Sequence, residues 1–160
     1  MKLAFATRNR HKVEEVSSGL KEFGIEVEHM DVSYLEDKEQ NIQETAANAA
    51  KELANQYQKP IIVDDTGIFF TAYTNFPGAN AKLMFNSLGY EGLLMLLAAK
   101  KRDAYFVCCI GYCEPNQDPI VFEGRLDGRI TMVPFNADKD VMPYERIFLP
   151  NGSTRTLSSL

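Results

Sequence analysis

Ile61–Phe70 reads IIVDDTGIFF. A run of β-branched residues meets two adjacent carboxylates and a Thr-Gly pair, and the chain then turns apolar again. A short continuous apolar run predicts a strand covered on both faces, as in the parallel sheet of an α/β protein. The expected strand is Ile61–Asp64, with the two acids at its end. Carboxylates rarely end such a strand without a partner, because an unpaired buried charge costs several kcal/mol.

The segments on either side fit an α/β chain. Upstream, Asn41 can cap a helix with Glu44 three residues on, a capping-box arrangement. Ala46–Ala54 follows with ideal helix propensity, and Pro60 ends the connection. Further back, Lys2–Thr7 reads as a short apolar strand that breaks into a polar loop. From His11 onward, Val13, Val16, Leu20 and Phe23 return at helical spacing, with Gly24 placed as a C-terminal cap. Ile25–Met30 alternates as a second strand, and an acidic loop, SYLEDKEQ, occupies Ser33–Gln40. Downstream, the loop TNFPGANA precedes a helical pattern over Lys82–Lys101, interrupted at Gly89. Ala104–Val133 carries β-rich runs punctuated by turn residues, which predicts hairpins. One α/β domain over residues 1–160 is the economical organisation.

Composition excludes several classes. At 160 residues and 45% hydrophobic, the chain fits one globular domain with a real core. A net charge of −5 argues against broad nucleic-acid binding, which needs a basic face. The apolar run Leu3–Ala6 is too short for a signal peptide and Leu93–Ala99 too short for a membrane span. An intracellular, cytoplasmic protein with no membrane partner is expected. The three cysteines, Cys108, Cys109 and Cys113, are odd in number and form no CxxC pair, so they read as small core residues. GxxxxGK[ST], GxGxxG and GxSxG are all absent, and His11 and His29 are too few for a histidine-rich metal centre.

Three polar clusters sit at the ends of expected elements. Thr7–Lys12, between the first strand and the first helix, gathers free backbone N–H groups, a hydroxyl, an amide and an ammonium, which suits an anion. Taken alone, the same residues read first as an ordinary solvated loop whose Thr or Asn caps the helix. The second cluster is Glu36, Asp37, Glu39, Glu44 and Lys51, where Glu44 and Lys51 share a helix face. The third is Asp64-Asp65-Thr66-Gly67. In open α/β sheets ligands collect beyond the carboxyl ends of strands, where the first and third clusters would both lie. Adjacent acids on an extended chain point to opposite sides, so only one need face a site. Paired with an acid from residues 36–39, it could hold a hard divalent cation.

In order along the chain come Thr7-x-Asn9-x-x-Lys12, Lys51 in its Ala-rich helix, IVDDTG at Ile62–Gly67, FPG at Phe76–Gly78 and R-x-A-x-F at Arg102–Phe106. This series resembles the inosine triphosphate pyrophosphatase family, also called Ham1/RdgB-like, and its archaeal members most closely. The resemblance implies an elongated, mixed twisted sheet with flanking helices, two lobes around a central cleft, and a homodimer. It implies Mg²⁺-dependent hydrolysis of ITP, dITP and XTP to the monophosphate and pyrophosphate. On that likeness Thr7, Asn9 and Lys12 cradle the triphosphate, and Lys51 neutralises charge on it. Asp65 is the catalytic carboxylate and a Mg²⁺ ligand. Asp37, or its neighbour Glu36, is the second metal ligand, and Thr66, Gly67 and Tyr144 contact substrate.

This sequence also departs from the family. The G-F-G-Y-D-P segment of the base pocket reads V-M-P-Y-E-R over Val141–Arg146, where only the tyrosine survives. The family's C-terminal Ser-His-Arg has no counterpart before Leu160, so the end of the family fold is expected to be missing. Two functions stay open: the pyrophosphatase, and a catalytically impaired nucleotide-binding or dimer-forming relative.

Overall fold

The apolar run around the two acids forms a single strand, β3, spanning Ile61–Phe70 in the computed structural model, which describes residues 1–34 and 41–160. The expected end at Asp64 is therefore overturned. Thr66 and Gly67 continue the extended chain, because Ile68 and Phe70 beyond them are themselves core residues. The expected break exists one strand over. β1, Lys2–Ala6, runs parallel to β3 with Ala4 opposite Ile61 and Phe5 opposite Ile62. It ends at Ala6, so Asp64 and Asp65 lie just past the end of their neighbour. β2, Glu26–Met30, pairs in parallel along the other side of β1. Among the described residues the sheet has seven strands in the order β2-β1-β3-β5-β6-β7, with β4 (Pro77–Gly78) added to β3; β5 is Asp103–Cys113, β6 Ile120–Ile130 and β7 Phe148–Pro150.

The chain divides into two compact units: Met1–Asp65 with Cys108–Glu123, and Thr66–Val107 with Gly124–Leu160. In the first, a helix covers each face of the strands. α1, Arg10–Lys21, lays Val13, Val16 and Leu20 on Leu3, Phe5 and Ile62, beside Ile110 and Tyr112. Phe23, expected on that apolar face, is 70% exposed. The helix stops at Lys21, and Gly24, at φ +72°, turns the chain into β2 before Phe23 can reach the sheet. α2, Ile42–Tyr57, packs on the opposite face. Its cap is as expected: Asn41 Oδ1 accepts from the Glu44 backbone N–H at 2.8 Å. Ala46, Ala49, Ala50 and Ala54 are buried, and their small size lets α2 approach Gly111 closely. A Cβ built at Gly111 would stand 2.3 Å from the Ala46 carbonyl oxygen.

The second unit contains β4 (Pro77–Gly78) and α3, Ala81–Met95. Gly89 breaks this helix where the sequence predicts, at φ +65° and ψ −176°. β5, Asp103–Cys113, and β6, Ile120–Ile130, supply the expected β-rich region. A short strand the sequence did not announce, β7 at Phe148–Pro150, runs antiparallel to β6. Ile68, Phe70, Leu93, Leu97, Phe148 and Tyr144 belong to its core. The Arg102 guanidinium ties the unit together by donating to the carbonyls of Ile130 and Thr131. No helix among the described residues is long and apolar enough to cross a membrane.

Candidate functional site

The loop that follows β1 is held from both of its neighbours. The Thr7 backbone N–H donates to the Met30 carbonyl at 3.1 Å, so the end of β2 positions the first loop residue. Thr7 Oγ1 accepts from the Asn9 N–H at 3.1 Å. Asn9 Oδ1 in turn accepts from the His11 N–H at 3.0 Å, which makes Asn9 the N-cap of α1. Sequence reasoning offered anion cradle and helix cap as alternatives for these residues. The cap is present, and the same geometry puts the positive end of α1 at the loop. A contact that the sequence did not reveal completes it: His29 Nε2 lies 2.7 Å from the Thr7 carbonyl oxygen.

Lys12, in the first turn of α1, reaches down to the sheet. Its Nζ lies 3.0 Å from Asp64 Oδ1, with side-chain exposures of 22% for the lysine and 6% for the aspartate. The Cys108 thiol stands 3.9 Å from the other oxygen, Asp64 Oδ2. Tyr34 fixes the backbone of the same residue by donating its hydroxyl to the Asp64 carbonyl at 2.8 Å. A carboxylate this buried is stable as an anion only with such partners. The sequence reading asked for a partner for the acidic pair, and Asp64 finds one in Lys12; this contact does not bear on the divalent cation expected with an acid of residues 36–39.

Asp65 is equally buried, at 6% exposure, and belongs to the other side of the sheet. Successive side chains of a strand alternate. Asp64 shares its face with Cys108 and α1, while Asp65 shares its face with Cys109 and α2. Burial first, then the charges of Glu123, Cys108 and Asp65, push the Cys109 thiol up to about 12. It stays protonated at neutral pH and can donate to Glu123 Oε1, 3.9 Å away. Glu123 also accepts from the Gln43 side-chain amide at the start of α2. Asp65 thus lies in a polar row that includes a neutral thiol and a second carboxylate.

The remaining residues singled out by the sequence fall as follows. Lys51 lies on α2, half exposed, with Nζ 4.0 Å from the fully solvated carboxylate of Asp118, a pairing weak enough to exchange readily. Thr66 and Gly67 follow Asp65 in β3. Tyr144 is a core residue of the second unit, 7% exposed, and its hydroxyl donates to the Ala81 carbonyl at 2.6 Å. Burial pushes its phenol well above the ordinary value, so it remains a neutral donor. Glu36 and Asp37 lie outside the described residues.

Among the described residues no cluster of three or more His, Cys, Asp or Glu side chains is placed to hold a metal ion. That donor set is compatible with Mg²⁺, which keeps several waters and is bound through one or two carboxylates together with substrate phosphates.

Residues 3–160 match the Ham1 family. The dITP/XTP pyrophosphatase of Methanopyrus kandleri is 38% identical over 161 aligned positions, covering 100% of this chain and 85% of the relative. That of Methanosarcina mazei is 40% identical over 154, covering 96% and 83%. Among solved structures, a nucleoside-triphosphatase / dITP/XTP pyrophosphatase from Mycobacterium abscessus matches with a TM-score of 0.76 and 26% identity, covering 100% of this chain and 89% of that one. A HAM1 protein from Coxiella burnetii matches with a TM-score of 0.80 at 24% identity, covering 100% and 87%, a likeness of fold.

Proposed function

We propose, from the premise that this chain belongs to the Ham1 family, that it hydrolyses ITP, dITP and XTP to the nucleoside monophosphate and pyrophosphate. Water adds to the α-phosphorus, the bond to the bridging oxygen breaks, and pyrophosphate departs with that oxygen. Such substitution requires positioning and charge stabilisation more than covalent chemistry. The observation that carries the reading is the 3.0 Å pair between Lys12 and the buried Asp64. It brings the anion-binding loop to the carboxylate strand; Asp65, next in the chain, faces the α2 side, and a polyphosphate lying across the end of β1 meets both acids there.

The roles follow from the surroundings of each group. Thr7, Asn9 and the first turn of α1 offer N–H and hydroxyl donors to phosphate oxygens, and Lys12 exchanges its partner from Asp64 to phosphate when substrate arrives. Lys51, only loosely paired, adds positive charge to the polyphosphate. Asp65 orients the attacking water and accepts its proton. Asp65, with Asp37 or Glu36, would hold Mg²⁺, whose chemistry there is neutralisation of phosphate charge. Thr66 and Gly67 line the strand beside these groups. Tyr144, whose hydroxyl donates to the Ala81 carbonyl in the second unit, is kept as a substrate contact on the family likeness.

The proposal extends to one domain over residues 1–160, because β3, β5 and β6 each run through residues of both compact units. It extends also to a cytoplasmic homodimer with no nucleic-acid partner, supported by the family resemblance and the net charge of −5. Product analysis tests the chemistry. With ITP and Mg²⁺ the expected products are IMP and pyrophosphate; IDP with orthophosphate would refute attack at the α-phosphorus. An assembly that binds ITP and releases nothing would favour the impaired relative.

A further inference from the structure

We infer that His29 is a positioning residue for the triphosphate loop, holding the Thr7 carbonyl so that the loop's donors face the substrate. The inference rests on the reading of Thr7–Lys12 as the phosphate-binding segment. His29 lies on β2, directly across from Phe5 of β1. From there its ring reaches past the end of β1, and Nε2 comes within 2.7 Å of the Thr7 oxygen. A carbonyl oxygen can only accept, so Nε2 carries the hydrogen and the imidazole is the donor.

The position of this bond gives it leverage. Thr7 is the residue at which the chain leaves the sheet, beyond the last β1 pairing at Ala6 and Met30. Its N–H is already tied to the Met30 carbonyl. With the carbonyl tied to His29, both backbone polar groups of Thr7 are fixed by the same end of β2. That sets the peptide plane from which Asn9 and the α1 N-terminus are hung through the Thr7 Oγ1 and Asn9 Oδ1 bonds. Without the imidazole this plane is free to rotate, and the donors that should meet phosphate oxygens lose their common direction. Val27, two residues earlier on the same face, packs on the α1 cluster. His29 instead is exposed, so its removal leaves the core untouched. The loss is one of ordering rather than folding.

The test compares wild type, His29→Leu and His29→Gln, the last keeping an amide donor at similar reach. Two readouts are taken: calorimetric binding of inorganic tripolyphosphate without metal, and steady-state ITP hydrolysis with Mg²⁺. His29→Leu is expected to weaken tripolyphosphate binding about five-fold, the worth of one typical hydrogen bond. KM should rise in proportion while kcat and Tm stay near wild type, and His29→Gln should recover most of the affinity. Equal tripolyphosphate affinity in wild type and His29→Leu overturns the inference and leaves the hydrolysis reading standing. A loss matched by a fall in Tm and not rescued by Gln also overturns it, since His29 would then serve general stability. Failure of wild type to hydrolyse ITP refutes the hydrolysis reading instead, and the tripolyphosphate titration still decides the role of His29.

Discussion

Asp64 and Asp65 are separated by one position and by the thickness of the sheet. Their adjacency, and the need of at least one for a partner, were legible in IVDDTG alone. Which acid takes Lys12 was not, because strand register decides which face each residue serves, and register depends on pairings far away in sequence. The sequence likewise gave no sign that His29 or Tyr34 would reach the site, since each acts on a backbone carbonyl and leaves no spacing pattern. Lys12 and Asp64 should behave as a buried pair. Lys12→Ala strands a carboxylate at 6% exposure and should destabilise the protein by about 2–3 kcal/mol, reduced from the fully buried case because the lysine is partly solvated. Combining it with Asp64→Leu should restore most of that loss, as read by urea denaturation. If Lys12→Ala alone leaves the midpoint unchanged, the pair is not a buried ion pair in solution.

At the scale of elements, the pattern of small residues in α2 has a direct cause. Ala46, Ala49 and Ala50 are buried because the helix backbone meets Gly111 on β5, where no side chain fits. Gly111→Ala should therefore push α2 from the sheet and cost at least about 3 kcal/mol, the upper range for overpacking. An unchanged thermal midpoint would disprove this close approach. Asn41→Ala, which removes the cap seen at 2.8 Å, should cost about 1 kcal/mol, with circular dichroism melts as the check. This cap, the Ala-rich helix and the break at Gly89 were readable because each depends on local propensity. The length of β3 and the exposure of Phe23 were not. One required seeing that Ile68 and Phe70 join a second core, and the other that α1 ends at Lys21, two residues before Phe23. β7 escaped notice because three residues carry too little periodicity to signal a strand.

For the whole molecule, the arrangement joins a loop rich in donors to a strand carrying buried carboxylates, in a chain whose net charge of −5 offers no general attraction for polyanions. Binding of a triphosphate must then come from local geometry, with Lys12 and Lys51 as the cations and Asp65 as the group that acts on water. The most direct measurement is pyrophosphate release with Mg²⁺ from ITP and from ATP, by wild type and by Asp65→Ala. Wild type should favour ITP, and Asp65→Ala should lose on the order of 10²–10⁴ in kcat, the usual contribution of a positioned base, while keeping its Tm. Undiminished turnover by Asp65→Ala, or no pyrophosphate from either nucleotide with wild type, would contradict the assignment of this strand and loop to one polyphosphate site.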